Sequence, residues 1–169
     1  MFVWITRYKD PSLSFQEKGR SVAPFCLWGS VYDYDMTILV TLLATVLSVV
    51  AIIHALWGIG VWFPIRDEER LVKCVVGAAD ATRMPGPIPC ALVSAGLIVV
   101  VFSLVADPNF LRDLILGTSA IVFLLRGILT WLPMWRRMTP QQPFAKLDQM
   151  IYGPTCSLLG IGIAIFLWG

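Results

Sequence analysis

The 169-residue chain is 57% hydrophobic and only 14% charged, with a formal net charge of +2 and a mean hydropathy of +0.77. Soluble domains carry roughly 25% charged residues, so a fold in water would lack the polar surface to cover itself. The length suits one domain, and the small, evenly spread positive balance excludes a nucleic-acid-binding footprint.

The first 35 residues are polar, aromatic-rich and irregular in pattern. Arg7, Lys9 and Asp10 interrupt their short apolar start, so no secretory signal is expected there. Met36 stands at the threshold of a long apolar run. Either residues 1–35 are a docking segment, or translation starts at Met36 and they are a mis-assigned extension. Met36 to Phe63 holds no formally charged residue over 28 positions. As a helix it would measure about 42 Å, more than the ~30 Å hydrocarbon core, so one end must tilt or project. Trp57, Trp62 and Phe63 suit an aromatic belt, and Pro64 a helix stop.

In the loop from Pro64 to Gly86, Asp67 and Glu68 come early and Leu71, Val72, Val75 and Val76 follow. The pattern predicts a short amphipathic turn on the membrane surface, or a brief strand because the valines are β-branched. The second apolar run, Pro87 to Ala106, opens on prolines that a first helical turn tolerates and closes on Asp107, Pro108 and Asn109. The third, 111–133, carries Arg126 deep inside it. In the last, Gly153 and Pro154 lie near the start, and from Pro154 only about 22 Å of helix remains. The helix is therefore expected to begin near Phe144 to Asp148 and bend at Pro154, where the carbonyl of Met150 lacks its intrahelical donor. Short connections favour antiparallel neighbours. The predicted fold is an all-α integral membrane bundle of four transmembrane helices, spanning about 36–63, 87–106, 111–133 and 146–168.

The loops after the first and third spans hold Arg66, Arg70, Lys73, Arg83, Arg136, Arg137 and Lys146. The positive-inside rule then places both termini outside the cytoplasm of a multi-pass inner (plasma) membrane protein. Cys26, Cys74, Cys90 and Cys156 form no CxxC pair and read as structural, with only Cys26 expected outside the cytosol. His54 is the single histidine, so one chain cannot build a bis-imidazole haem or multi-histidine metal site. No metal or other cofactor is predicted. Nucleophile and phosphate-loop motifs are absent as well.

Arg126 is the strongest clue to a site. A guanidinium in hydrocarbon costs at least ~2.5 kcal/mol and is usually paired or turned toward a cavity. Asp148 is the expected partner; snorkelling to the interface is the alternative. Counted from the span ends, His54 and Arg126 lie about 14 and 10 Å deep, and Asp148 and Tyr152 enter at the opening of the fourth span. These groups are expected to share a polar half-cavity. Trp57, one turn beyond His54, shares its face and reads first as an interfacial anchor. The candidate binding set is thus His54, Trp57, Arg126, Asp148 and Tyr152, with His54 read as a hydrogen-bonding strut or as a titrating group. Arg66 to Arg70 reads as a self-paired solvated face. Gly160 and Gly162 suit close helix contact.

Several blocks resemble a family of small bacterial membrane proteins, the domain of unknown function numbered 3995. They are HALWGIG (His54 to Gly60), VVGAADATRMPGPIPCALVSAGL (Val75 to Leu97), Arg126 with Gly127, and FAKLDQMIYGPTCSLLG (Phe144 to Gly160). The resemblance covers roughly residues 40–165 and departs at Gly153, where serine is the expected residue, and in the long leader. It implies four spans and no established chemistry. The leading functional reading is a non-enzymatic accessory subunit or small-ligand-binding bundle. A membrane enzyme acting on a lipid or quinone-like substrate and an oligomeric small-solute transporter are the alternatives. The expected partners are the lipid bilayer and a larger membrane complex or further copies of the chain, not nucleic acid.

Overall fold

The long apolar runs are hydrophobic all round rather than along one stripe, the pattern of helices whose surroundings are themselves apolar. The computed structural model of the chain describes residues 23–79 and 81–169, with side chains of the first helix from Asp35 onward. Every described element is helical: α1 (Ala23–Gly58), α2 (Glu68–Val75), α3 (Pro87–Val105), α4 (Phe110–Leu129), α5 (Pro133–Met138), α6 (Phe144–Leu147), a π-helical turn (Asp148–Tyr152) and α7 (Gly153–Trp168). The chain divides into two units, Met1–Asp35 and Met36–Gly169. The packing described below is that of the second unit. The choice between a docking segment and a start at Met36 turns largely on residues 1–22, outside the described residues. The Cys26 side chain also lies outside them.

Among the described residues three helices are long and apolar enough to cross a membrane: Asp35–Gly58, Pro87–Val105 and Phe144–Trp168, the last joining α6, the π turn and α7. α4 has 20 residues but carries Arg112, Asp113 and Arg126, so its composition alone does not place it in that class. The four long helices share one apolar core, to which α1 contributes Leu43 and Leu47, α3 Val100 and Leu104, α4 Leu116 and Ala120, and α7 Leu159 and Ile163. Each pair is one helical turn apart and so lies on one face. Ser94 on α3 reaches across to α1, its hydroxyl donating to the Ala51 carbonyl at 2.9 Å. Outside the core the helices present apolar side chains to their surroundings, Leu42, Ile52, Leu92, Phe102 and Ile161 among them.

α4 and α7 run antiparallel along a seam of small residues. Gly127 meets Gly153 and Ser157, Gly160 meets Ala120 and Leu124, and Gly117 meets Leu167. At the far end Arg112 lies over the Phe166 ring, 5.0 Å from its centroid. Its Nε donates to the Ser103 carbonyl at 3.2 Å and its Nη1 pairs with Asp113 at 3.0 Å.

Helix ends depart from the apolar runs. α1 stops at Gly58, not at Phe63, because Gly60 takes a φ of +80°. Its N–H donates to the Trp57 carbonyl at 3.1 Å and that of Val61 to Leu56 at 2.8 Å. This is a Schellman stop, which satisfies the last carbonyls by reversing the chain. α4 stops at Leu129 rather than Pro133. Pro133 instead opens α5, where a first helical position needs no N–H. The last helix starts at Phe144, within the expected range of Phe144 to Asp148. The irregularity expected at Pro154 takes the form of a π turn: the Gly153 N–H donates to Asp148, five residues back. The missing N–H of proline and a π register one turn before it are a recurrent combination in helices that must bend or aim a side chain.

The segment after Pro64 forms a helix, not a strand. Asp67 caps α2 by accepting from the Arg70 N–H at 3.1 Å, and Glu68 and Glu69 in the first turn with Lys73 in the last suit the helix dipole. Local capping and charge thus outweigh the β-branched valines. Leu71 and Val72 are buried with Met84, and Trp57 and Trp62 pack against them.

Candidate functional site

The charged residue near the end of α4 has its counter-ion on the last helix. Arg126 Nη2 donates to Asp148 Oδ1 at 2.5 Å. The second carboxylate oxygen accepts from the Trp135 indole N–H at 3.0 Å. Arg126 Nη1 donates to the Thr130 hydroxyl at 2.8 Å, and that hydroxyl donates in turn to the Arg126 carbonyl at 3.3 Å. The guanidinium also lies over the Trp135 ring, 5.1 Å from its centroid. The Asp148 side chain is 3% exposed and that of Arg126 29%. Among the described residues no buried side-chain nitrogen or oxygen is left without a partner. Asp148 is therefore a desolvated carboxylate with both oxygens committed to the chain's own donors. Such a group orients the helices that carry its donors.

Local structure explains the meeting. Arg126 stands in the last turn of α4, where a cation suits the dipole, and Thr130 follows one turn later on the same face. The π turn that begins at Asp148 sets the direction of its carboxylate. Trp135 and Thr130 belong to the network as fully as Arg126 does, and sequence reading missed both. The four-residue spacing of Thr130 from Arg126 was available as a signal. Trp135 gave none beyond its indole N–H, because α5 had first to fold back toward the last helix.

The hydrogen bonds of the other candidates go to groups outside this pair. Tyr152 shares the π turn with Asp148, but its hydroxyl donates to the Cys74 carbonyl of α2 at 3.1 Å, and its ring faces Phe144 at 6.0 Å. Replacing Tyr152 by Phe should weaken the attachment of α2 by about 0.5–1.5 kcal/mol. Faster amide exchange across 68–75 is the expected reading; unchanged exchange would leave α2 held by Leu71 and Val72 alone.

His54 is half-buried on α1, with Nδ1 2.8 Å from the Val50 carbonyl. A carbonyl only accepts, so this bond requires the proton on Nδ1. The imidazole ring tilts against Trp57, 5.0 Å between centroids. Trp57 in turn donates to the Phe63 carbonyl at 2.8 Å. With α1 ending at Gly58 and α4 at Leu129, His54 and Arg126 lie about 6 and 5 Å from their helix ends. Both stand nearer to their helix ends than to the ends of the apolar runs, which continue beyond the helices. Cys74, Cys90 and Cys156 are free thiols, and among the described residues no group of His, Cys, Asp and Glu could hold a metal ion.

An all-helical fold with three helices apolar enough to cross a membrane, an apolar exterior and a charged pair closed inside defines the class: a helical protein compatible with the bilayer. Residues 47–163 match the family described as protein of unknown function (DUF3995). The chain belongs to that family. No curated protein and no solved structure matches it.

Proposed function

We propose that the chain is a non-enzymatic, four-span protein of the inner membrane that works as an accessory subunit. The observation that carries the proposal is the closed Arg126, Asp148, Trp135 and Thr130 network. The buried carboxylate of this helix set is used for holding helices, and His54, the residue a lipid- or quinone-directed enzyme would need beside Arg126, is bonded to its own helix. The fourth span is α4. Its Arg112 is paired with Asp113 and its Arg126 with Asp148, so its 20 residues, about 30 Å of helix, meet hydrocarbon without a free charge. The basic loops support a topology with both termini outside the cytoplasm.

Co-purification in mild detergent followed by mass spectrometry tests the function. A larger membrane protein held in fixed stoichiometry is the expected result; a chain that carries a quinone in fixed ratio and no protein would return the enzyme reading. His54→Gln separates the two further. If His54 serves only its bond to the Val50 carbonyl, its replacement should cost about 1 kcal/mol of stability and leave any cellular phenotype tied to that loss. A lost phenotype at wild-type stability would assign it chemistry.

A further inference from the structure

An open groove of about 530 Å³ lies between α5 and the first turns of the last helix, lined by Arg136, Arg137 and Lys146 with Gln142 and Gln149 beside them. Among the described residues no carboxylate lines it. Asp148, the neighbour of Gln149 in sequence, is turned away, with both its oxygens held by Arg126 and Trp135. Arg136 is oriented from within the groove: with the Gln149 amide oxygen facing it, that oxygen accepts from Nε at 2.7 Å and from Nη2 at 3.2 Å. Arg137 and Lys146 are exposed and have no ion-pair partner among the described residues. Three converging cations without a counter-ion repel one another, and a bound anion relieves that repulsion. Two guanidiniums and an ammonium are the donor set of phosphate recognition.

The position of the groove indicates which phosphate. Lys146 and Gln149 sit in the first turns of Phe144–Trp168, one of the helices able to cross a membrane, and the entry of such a helix lies in the headgroup layer. Flanking Arg136 and Arg137 in sequence, Trp131, Leu132, Met134 and Met138 are exposed apolar side chains. Cations beside an apolar, aromatic shelf match a molecule with a phosphate at one end and acyl chains at the other. We propose that this groove binds the phosphate of an anionic phospholipid headgroup, with the acyl chains lying along Trp131 and the two methionines. A groove of net positive charge selects phosphates without a neighbouring ammonium, so phosphatidylglycerol is favoured over phosphatidylcholine. The proposal rests on the membrane reading above.

The test is to reconstitute the purified protein in phosphatidylcholine nanodiscs doped with phosphatidylglycerol and count retained lipids by native mass spectrometry. The wild type should retain phosphatidylglycerol well above its bulk share. The triple variant R136Q/R137Q/K146Q should lose that preference by on the order of a hundredfold, at about fivefold per cation, with unchanged melting temperature. If the triple variant does not fold, K146Q alone should lower the preference about fivefold, and raised salt should lower it for the wild type. Retention in the bulk ratio by the wild type overturns the proposal. Displacement of phosphatidylglycerol by millimolar inorganic phosphate also overturns it, since the groove would then serve free phosphate. A chain that fails to enter nanodiscs defeats the membrane reading itself, whereas one that enters without preference defeats only the groove.

Discussion

Arg126→Leu is expected to lower the stability of the detergent-solubilised protein by about 3–5 kcal/mol, the range for stranding one member of a buried ion pair. The size follows from the asymmetry of the pair. Asp148 is the enclosed partner, at 3% side-chain exposure against 29% for Arg126. Removing the guanidinium leaves a carboxylate in a low-dielectric site with only the Trp135 indole as donor. Asp148→Asn should act in the same direction with a smaller effect, because the stranded guanidinium keeps Thr130 and the Trp135 ring as partners and reaches solvent more easily. The double replacement by leucines should cost less than the two single changes together, since nothing charged is then left buried. Thermal unfolding of the four proteins in one detergent decides the matter. Wild-type stability in both single variants would show that the pair holds nothing together.

Gly127→Ala should destabilise by about 1–3 kcal/mol, the cost of overpacking a close helix contact. A Cβ there meets the Ser157 hydroxyl and lies 3.0 Å from both the Gly153 carbonyl oxygen and the Ser157 nitrogen. The hydroxyl can rotate away, but the two backbone atoms belong to α7, so relief requires α4 and α7 to move apart. That movement pulls Arg126, the preceding residue, from Asp148. Gly96→Ala is the matched control: on α3, nothing lies within 4 Å of its added Cβ. There alanine should be neutral or stabilising by up to ~1 kcal/mol, because it gives up less backbone entropy on folding than glycine does. Equal losses at both positions, measured by the same melting assay, would remove the small-residue seam as the explanation.

The seam also gives a reason for glycine at position 153. A Cβ there would stand 2.7 Å from the Thr130 hydroxyl oxygen and 2.9 Å from its Cβ. Thr130 is fully buried and already receives a hydrogen bond from Arg126. Glycine at 153 thus permits the close approach of the π turn to the end of α4.

Much of this protein is determined by the sequence alone, because hydropathy and charge act locally. The stretches from Met36 to Gly58 and from Pro87 to Val105 can satisfy their backbone only as helices when their surroundings are apolar. An isolated Arg126 in such a stretch calls for an acid, and Asp148 is the acid at the opening of the last helix. Local signals of the same kind made α2 legible, with Asp67 ahead of Leu71 and Val72. Tertiary structure decided what depends on rotation and on chain reversal. Similar depth along neighbouring helices suggested that His54, Tyr152 and Arg126 share one half of the bundle, but depth carries no azimuth and does not say which group each side chain bonds. In the fold Tyr152 turns to Cys74 of α2, His54 stays with Val50 and Trp57, and Trp135 returns through α5 to complete the carboxylate's partners. The left-handed Gly60 ends α1 while the apolar residues run on. Composition records which solvent a residue prefers, whereas only packing against distant segments fixes the direction in which its side chain points.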